Sequence, residues 1–279
     1  MQHPYTTSQI ESWDDLHSTI QSATRFVYRG QNDASWDLTS SFVRECRRLS
    51  MAPEYWLNTE YLMLRDFKRR AHLFEANLPE KSDTIGWLAF MQHYGSPTRL
   101  LDFTYSLYVA CFFALVTAKA DAAVWAIDDS WLRSNVEPSS ISGLREDELE
   151  AQYVSANIFV SKSYRENRGG GGGYLKIPLG IYMLEPERQT ERLGIQQGLF
   201  LMQKNVHTDF LENLLANNPF PDATRDALPI ADYVHKLVLG EKIRMQGLAV
   251  LRSMNITTAT LFPGIEGYAK AIMHHVIGS

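Results

Sequence analysis

The densest hydrophobic pattern covers Tyr105–Ala118, where almost every residue is apolar. A helix that is apolar on all sides must be buried in a core or lie in a membrane. The uninterrupted apolar run, Leu107–Val116, is only ten residues long, whereas a membrane-spanning helix needs about 20. We therefore predict a buried core helix. Thr98–Phe103 before it predicts a short strand, and Asp102 and Thr104 are both suitable N-cap residues for the helix.

The remaining pattern predicts further helices and strands on both sides of this segment. Four further helices are predicted. The first begins after Ser12, two cover Glu54–Phe74 and Glu241–Met254, and the last covers the end of the chain from Ile265. The strands are Arg25–Gly30, Trp36–Phe42, Ala122–Ile127, Tyr174–Leu184, Gly198–Gln203, Lys236–Leu239 and Thr257–Phe262. With no internal repeat and no clear domain boundary, residues 1–279 are predicted to form a single α+β domain, a mixed or antiparallel sheet flanked by helices.

Composition narrows the range of partners and compartments. The chain of 279 residues has a net charge of −5, which argues against binding nucleic acid or acidic membranes along its whole length. Cys46 and Cys111 are its only cysteines, so a reducing compartment is favoured over a disulfide framework. The N-terminal residues lack a basic start and an apolar region, which indicates no signal peptide. We predict a cytoplasmic protein with no membrane partner.

Several common catalytic signatures are missing from the sequence. There is no GxSxG, no HExxH and no paired Cys/His spacing for a metal, so no metal site is predicted. The five glycines Gly169–Gly173 are not followed by Gly-Lys-Ser/Thr, and a mobile loop is favoured over a phosphate-binding loop. His93 lies in the polar loop before the core helix, where a hydrogen-bonded loop residue is favoured over a catalytic base.

Arg29 is the most informative single residue. It lies in a short strand on the face opposite Phe26 and Tyr28 and is followed by Gly30. A core-facing guanidinium is costly unless an anion pairs with it. That anion is either a structural carboxylate such as Asp102, or a ligand phosphate or carboxylate, with Gly30 allowing close backbone approach; the residues leave both open. For Arg99, a structural pair with Asp102 is favoured.

Three segments together resemble the FRG domain family. They are YRGQ at Tyr28–Gln31, HYGSPTRLLDFTYSLYVACFFA at His93–Ala114, and LFPGIEGYAKAI at Leu261–Ile272. The resemblance extends from about Phe26 to Ile272 and implies an insertion at about residues 128–173. The family is named for an aromatic-Arg-Gly element, in which this chain has tyrosine at the first position.

A second similarity is to NAD-dependent ADP-ribosyltransferases of the arginine-serine-glutamate type. Arg29 resembles their first-strand arginine. Thr104 and Ser106, with Ala110 and Phe113 behind them, resemble the strand-to-helix element, and Gln196 or Gln197 resembles the start of the third element. That third element lacks an obvious glutamate, for which Glu191 and Glu266 are possible substitutes.

This second resemblance implies an ADP-ribosyltransferase-like fold and an NAD-consuming ADP-ribosyltransferase, with NAD as substrate. It further implies a toxin or antiphage effector that modifies protein or nucleic acid and is paired with an antitoxin partner. Arg29 would hold the pyrophosphate or ribose, and Gln197 or Glu266 would act near the ribose. Thr104 and Ser106 would shape the nicotinamide pocket beside Tyr28. The other implied NAD-binding residues are Gly30, Gln31, His93 and Thr98. The alternative is a non-catalytic FRG domain that binds a nucleotide or a partner.

Overall fold

The computed structural model describes residues 5–20, 25–134, 145–166, 177–186, 190–216 and 232–277. The strands are β1 (Thr6–Ile10), β2 (Phe26–Gln31), β3 (Leu100–Thr104), β4 (Ala122–Asp128), β5 (Ile181–Leu184), β6 (Gly198–Gln203) and β7 (Val234–Leu239). The helices are α1 (Trp13–Ile20), α2 (Ser41–Arg48), α3 (Trp56–Arg70), α4 (Thr84–His93), α5 (Leu107–Leu115), α6 (Asp129–Ser134), α7 (Arg145–Glu166), α8 (Glu191–Ile195), α9 (Phe210–Leu215), α10 (Ile243–Ser253), α11 (Thr258–Leu261) and α12 (Ile265–Ile277).

The strands form one mixed sheet in the order β1-β7-β4-β2-β3-β6-β5. β1 pairs with β7 in parallel, and the other neighbours are antiparallel. Tyr28 on β2 lies opposite Thr104 on β3, and Thr104 lies opposite Gly198 on β6. Three segments that are distant in the sequence therefore meet in one row across the sheet. The predicted α+β fold with a mixed sheet flanked by helices is confirmed.

Helices cover both faces of the sheet because side chains alternate along each strand. On one face, α1, α5 and α10 pack over β2, β4 and β7. On the same face, α3, α4 and α7 pack over β3, β5 and β6, with Leu100 and Phe200 in that cluster. Trp125, Phe103 and their neighbours pack with α6 and α9 on the opposite face. The first face thus carries two separate helical groups, with the middle of the sheet between them.

The core helix predicted from the apolar pattern is confirmed as α5. Six of its nine residues are buried. Its N-cap is Ser106, whose hydroxyl accepts a hydrogen bond from the Val109 backbone N–H at 3.3 Å. The predicted caps Asp102 and Thr104 are wrong because both residues belong to strand β3, which places them before the first turn of the helix.

Gly30 is required by the packing of α5 on β2. A Cβ added to Gly30 would lie 2.0 Å from the carbonyl oxygen of Ala110 and 2.6 Å from the backbone nitrogen of Ala114. Both distances are far shorter than any side-chain contact, so only glycine fits. The close backbone approach expected at Gly30 is therefore made by a helix of the protein itself.

Two predicted strands are wrong. In the segment Trp36–Phe42, the chain has no strand and α2 begins at Ser41, capped by the hydroxyl of Ser40. In the segment Thr257–Phe262, the threonines form a capping box at the start of α11, in which Thr257 and Thr260 bond reciprocally. Threonine suits both strands and helix caps, which explains the second error.

Other expectations are confirmed in part. Only Ile181–Leu184 of the predicted strand Tyr174–Leu184 forms a strand in the described residues. The glycines Gly169–Gly173 lie outside the described residues, and the insertion predicted at residues 128–173 stays a prediction. None of the described helices combines the length and apolar character needed to cross a bilayer.

Candidate functional site

A cleft of about 980 Å³ opens on the first face of the sheet, between α4, α7 and α8. Asp102 on β3 and Phe200 on β6, which are direct neighbours in the sheet, both line it. This volume lies at the upper end of the range for small-molecule sites. The acidic and basic residues that line the cleft, histidine included, are Glu80, Asp83, His93, Asp102, Arg165 and Arg192.

The carboxylate of Asp102 is accessible and oriented. Its side chain is 63% exposed. One carboxylate oxygen accepts a hydrogen bond from the Gln92 side-chain amide at 2.8 Å. The other end of the Gln92 amide accepts from the hydroxyl of Thr98, a buried residue. Thr98 thereby fixes which way the amide points, and the amide holds the carboxylate at the cleft.

Arg29 reaches Asp102 from the neighbouring strand. Its Nη1 donates to the Asp102 backbone carbonyl at 2.7 Å and lies 3.9 Å from the second carboxylate oxygen. The side chain is 17% exposed, and its Nε is buried with no hydrogen-bond partner among the described residues. Burial lowers the pKa of Arg29, opposed by the charge of Asp102 and reinforced by Arg44. The predicted contact with Asp102 is present, but as a loose ion pair.

The predicted Arg99–Asp102 pair is wrong. Arg99 is fully buried and donates from Nε to both carboxylate oxygens of Glu60 at 2.8 and 2.9 Å. The Tyr164 hydroxyl donates to the same carboxylate at 2.9 Å. A buried guanidinium needs a buried carboxylate, which Asp102 is not. The sequence pattern did not single out Glu60, although Glu60 shares the helical spacing of the apolar residues Leu57 and Leu64 on α3.

The row formed by Tyr28, Thr104 and Gly198 joins the three motifs of the ADP-ribosyltransferase resemblance. Their polar groups, however, bond to the protein itself. The Thr104 hydroxyl donates to the Gln196 carbonyl at 2.7 Å, and the Tyr105 N–H donates to the Gln197 carbonyl at 3.0 Å. Tyr28 is buried, and burial raises its pKa to about 12. These contacts hold the strands together beside the cleft.

The other predicted site residues lie in different environments. Gln31 is buried, accepting from the Trp125 ring N–H at 2.7 Å and donating to the Asp37 carbonyl at 3.1 Å. Ser106 caps α5. Glu191 is exposed at the start of α8. Glu266 lies in α12, and its side chain is outside the part of the chain that the structure describes.

Of the predicted NAD-binding residues, His93 is the one that lines the cleft. Burial, and secondly the charge of Arg192, lower its pKa. Gln196, which the sequence offered as an alternative to Gln197, also lines the cleft. Arg192 and Gln92 were missed, because no local sequence pattern in α8 or α4 marks a polar residue as facing a cleft.

Comparison with known proteins gives one match. None of the curated proteins and none of the solved structures is similar to the chain. The ADP-ribosyltransferase resemblance receives no support from these comparisons and stays a prediction. The family match includes Arg29 and the His93–Ala114 segment, whereas the Leu261–Ile272 segment lies beyond it. Residues 24–123 match the family model of the FRG domain.

Proposed function

We propose that the cleft binds NAD or a related nucleotide and that the protein transfers ADP-ribose from NAD to a protein or nucleic-acid acceptor. The observation that carries the proposal is the exposed Asp102 carboxylate, which Gln92 orients in a cleft of about 980 Å³. In this proposal the carboxylate takes the role for which the sequence offers no obvious glutamate and for which Glu191 and Glu266 were the predicted substitutes. The chemistry suits the toxin or antiphage effector expected from the sequence, with an antitoxin as partner.

Asp102 would act on the ribose. When nicotinamide leaves with the electron pair of its glycosidic bond, positive charge develops on the ribosyl carbon. A carboxylate held in place beforehand stabilises this charge with little reorganisation. Gln92 engages one carboxylate oxygen at 2.8 Å, and the second oxygen, which lies 3.9 Å from the Arg29 Nη1, would face the ribose.

His93 would accept the proton that the attacking acceptor loses. Its lowered pKa keeps the imidazole neutral at pH 7, which is the form able to act as a base. Both His93 and Asp102 line the cleft. The pair would thus serve the two steps of transfer, departure of nicotinamide and attack by the acceptor.

Arg29 takes a positioning role in this proposal, in place of the pyrophosphate contact expected from the sequence. Its Nη1 is already bonded to the Asp102 carbonyl at 2.7 Å. Removing Arg29 would therefore displace the backbone that carries Asp102. Gln197 and Glu266 stay predictions, because Gln196 rather than Gln197 lines the cleft and the side chain of Glu266 lies outside the described residues.

The second candidate is a non-catalytic FRG domain that binds the same class of ligand. One observation favours it: the polar groups of Thr104, Ser106 and Gln31 are already engaged in hydrogen bonds within the protein. Such a domain would bind NAD without releasing nicotinamide.

The test is release of nicotinamide from NAD by the purified protein and by Asp102→Asn. Asparagine keeps the size of the side chain and the bond to Gln92 but removes the charge. We expect the rate to fall about a hundredfold. Asp66→Asn, which alters an exposed pair with Arg70, is the matched control and should leave the rate unchanged. Equal rates for the wild type and Asp102→Asn would contradict the proposal, and binding of NAD without release would favour the second candidate.

A further inference from the structure

We infer that Arg192 recognises a phosphate group of the ligand, an inference that rests on the proposed function because it takes the cleft to be a nucleotide site. Arg192 lies in α8 and lines the cleft. Its guanidinium carbon lies 4.4 Å from the centroid of the Phe262 ring. A guanidinium stacked on a ring keeps its N–H donors free at its edge, in the fork that matches a phosphate.

No carboxylate among the described residues forms an ion pair with Arg192. Arg47, Arg99 and Arg133, in contrast, are each paired with a carboxylate. The carboxylates that line the same cleft, Glu80, Asp83 and Asp102, are not paired with Arg192. An anionic ligand in the cleft would therefore supply the opposite charge. The gain in binding free energy is larger than for an arginine that is already paired within the protein.

The position of Arg192 is fixed from both sides. The Thr190 hydroxyl caps α8 by accepting from the Leu193 N–H at 3.2 Å. Gln196, just beyond α8, donates to the Leu261 carbonyl at 2.9 Å, and Leu261 precedes the Phe262 ring. The cation and its stacking partner therefore belong to one anchored unit, which reduces the entropy lost when a ligand binds.

Arg165 provides a matched comparison in the same cleft. It also lines the cleft, but its Nε donates to the Ser161 carbonyl at 3.3 Å and no aromatic ring supports it among the described residues. The two arginines carry the same charge and differ in support. A diffuse electrostatic effect would involve both equally, whereas a built phosphate site would involve Arg192.

The experiment is calorimetric titration of ADP and adenosine into the wild type, Arg192→Gln, Arg192→Lys and Arg165→Gln. ADP affinity should fall about tenfold to a hundredfold in Arg192→Gln, as expected for loss of a charged hydrogen bond. Arg192→Lys should show a smaller loss, and Arg165→Gln should stay within about threefold of the wild type. Adenosine, which lacks phosphate, should bind the wild type and Arg192→Gln equally.

Unchanged ADP affinity in Arg192→Gln would overturn the inference, as would an equal loss in Arg165→Gln or no binding of ADP to the wild type. If Arg192→Gln does not fold, Arg192→Lys decides, because lysine keeps the charge and lacks the fork. ADP binding that depends on Arg192, combined with no release of nicotinamide from NAD, would sustain this inference and overturn the transferase proposal.

Discussion

Arg29 lies on β2 and Arg99 immediately precedes β3, yet the two guanidinium groups have opposite environments. Arg99 is fully buried, and its guanidinium donates to the Glu60 carboxylate. The Tyr164 hydroxyl donates to the same carboxylate. Arg29 keeps a buried Nε without a partner among the described residues, and its nearest carboxylate oxygen is 3.9 Å away. That carboxylate, on Asp102, faces a large cleft.

The difference teaches how to separate a structural charge from a functional one. A fully satisfied buried pair has no bonding capacity left for a ligand and serves the fold. A loose pair at a cleft keeps an exposed carboxylate that can act on something else. Glu60 and Asp102 therefore differ in role although each is the carboxylate nearest to an arginine.

The largest expected loss of unfolding free energy comes from removing the buried carboxylate of Glu60. Glu60→Ala leaves the Arg99 guanidinium buried without its anion, which should cost about 3–5 kcal/mol of unfolding free energy. Asp102→Ala is the matched change at the open pair and should cost no more than about 1 kcal/mol, because its carboxylate is exposed. Urea denaturation measures both, and equal losses would erase the distinction between the two regions.

The next effect tests whether Gly30 serves packing. Gly30→Ala places a Cβ 2.0 Å from the Ala110 carbonyl oxygen, so β2 and α5 must separate, at a cost of about 1–3 kcal/mol or more. Gly240→Ala is the control, since nothing lies within 4 Å of a Cβ there. Thermal unfolding compares the two variants. A stable Gly30→Ala protein that has lost nucleotide binding would instead favour a ligand beside Gly30.

A smaller loss is expected at Arg29. Arg29→Met removes the hydrogen bond from Nη1 to the Asp102 carbonyl. We expect the free energy of unfolding to fall by about 1–2 kcal/mol, because partial exposure of the side chain limits the loss. The same denaturation series measures it. A loss as large as that of Glu60→Ala would mean that Arg29 is also a sealed structural residue.

The smallest effect is a shift in the titration of His93. Burial and the charge of Arg192 lower the pKa of His93 from its ordinary value of 6.5, so the folded state favours the neutral ring. The neutral ring therefore contributes to the free energy of unfolding above pH 6.5, and this contribution is lost as the pH falls through the lowered pKa of His93. Arg192→Gln should raise the pKa of His93 toward 6.5, as followed by NMR. An unchanged pKa of His93 would show that the charge of Arg192 does not act on the His93 ring.

The sequence predicts several local elements correctly but predicts the partners of the charged residues poorly. The apolar run of α5 and the short strands β2, β3 and β6 can be predicted because each pattern is contained in a few residues. The partner of Arg99 lies 39 residues earlier, on helix α3, so only the packing of α3 on the sheet reveals it. The cleft depends on α7 and α8, whose polar surfaces carry no sign of which side faces it.

The central claim is that the ligand binds in the cleft beside the Arg29–Asp102 pair and not elsewhere. Amide hydrogen exchange of the wild type with and without saturating NAD tests it most directly, since it locates the bound ligand on the chain. We predict slower exchange at the segments that line the cleft, 86–93 and 190–200. Slower exchange confined to other segments, or none at any NAD concentration, would contradict the account.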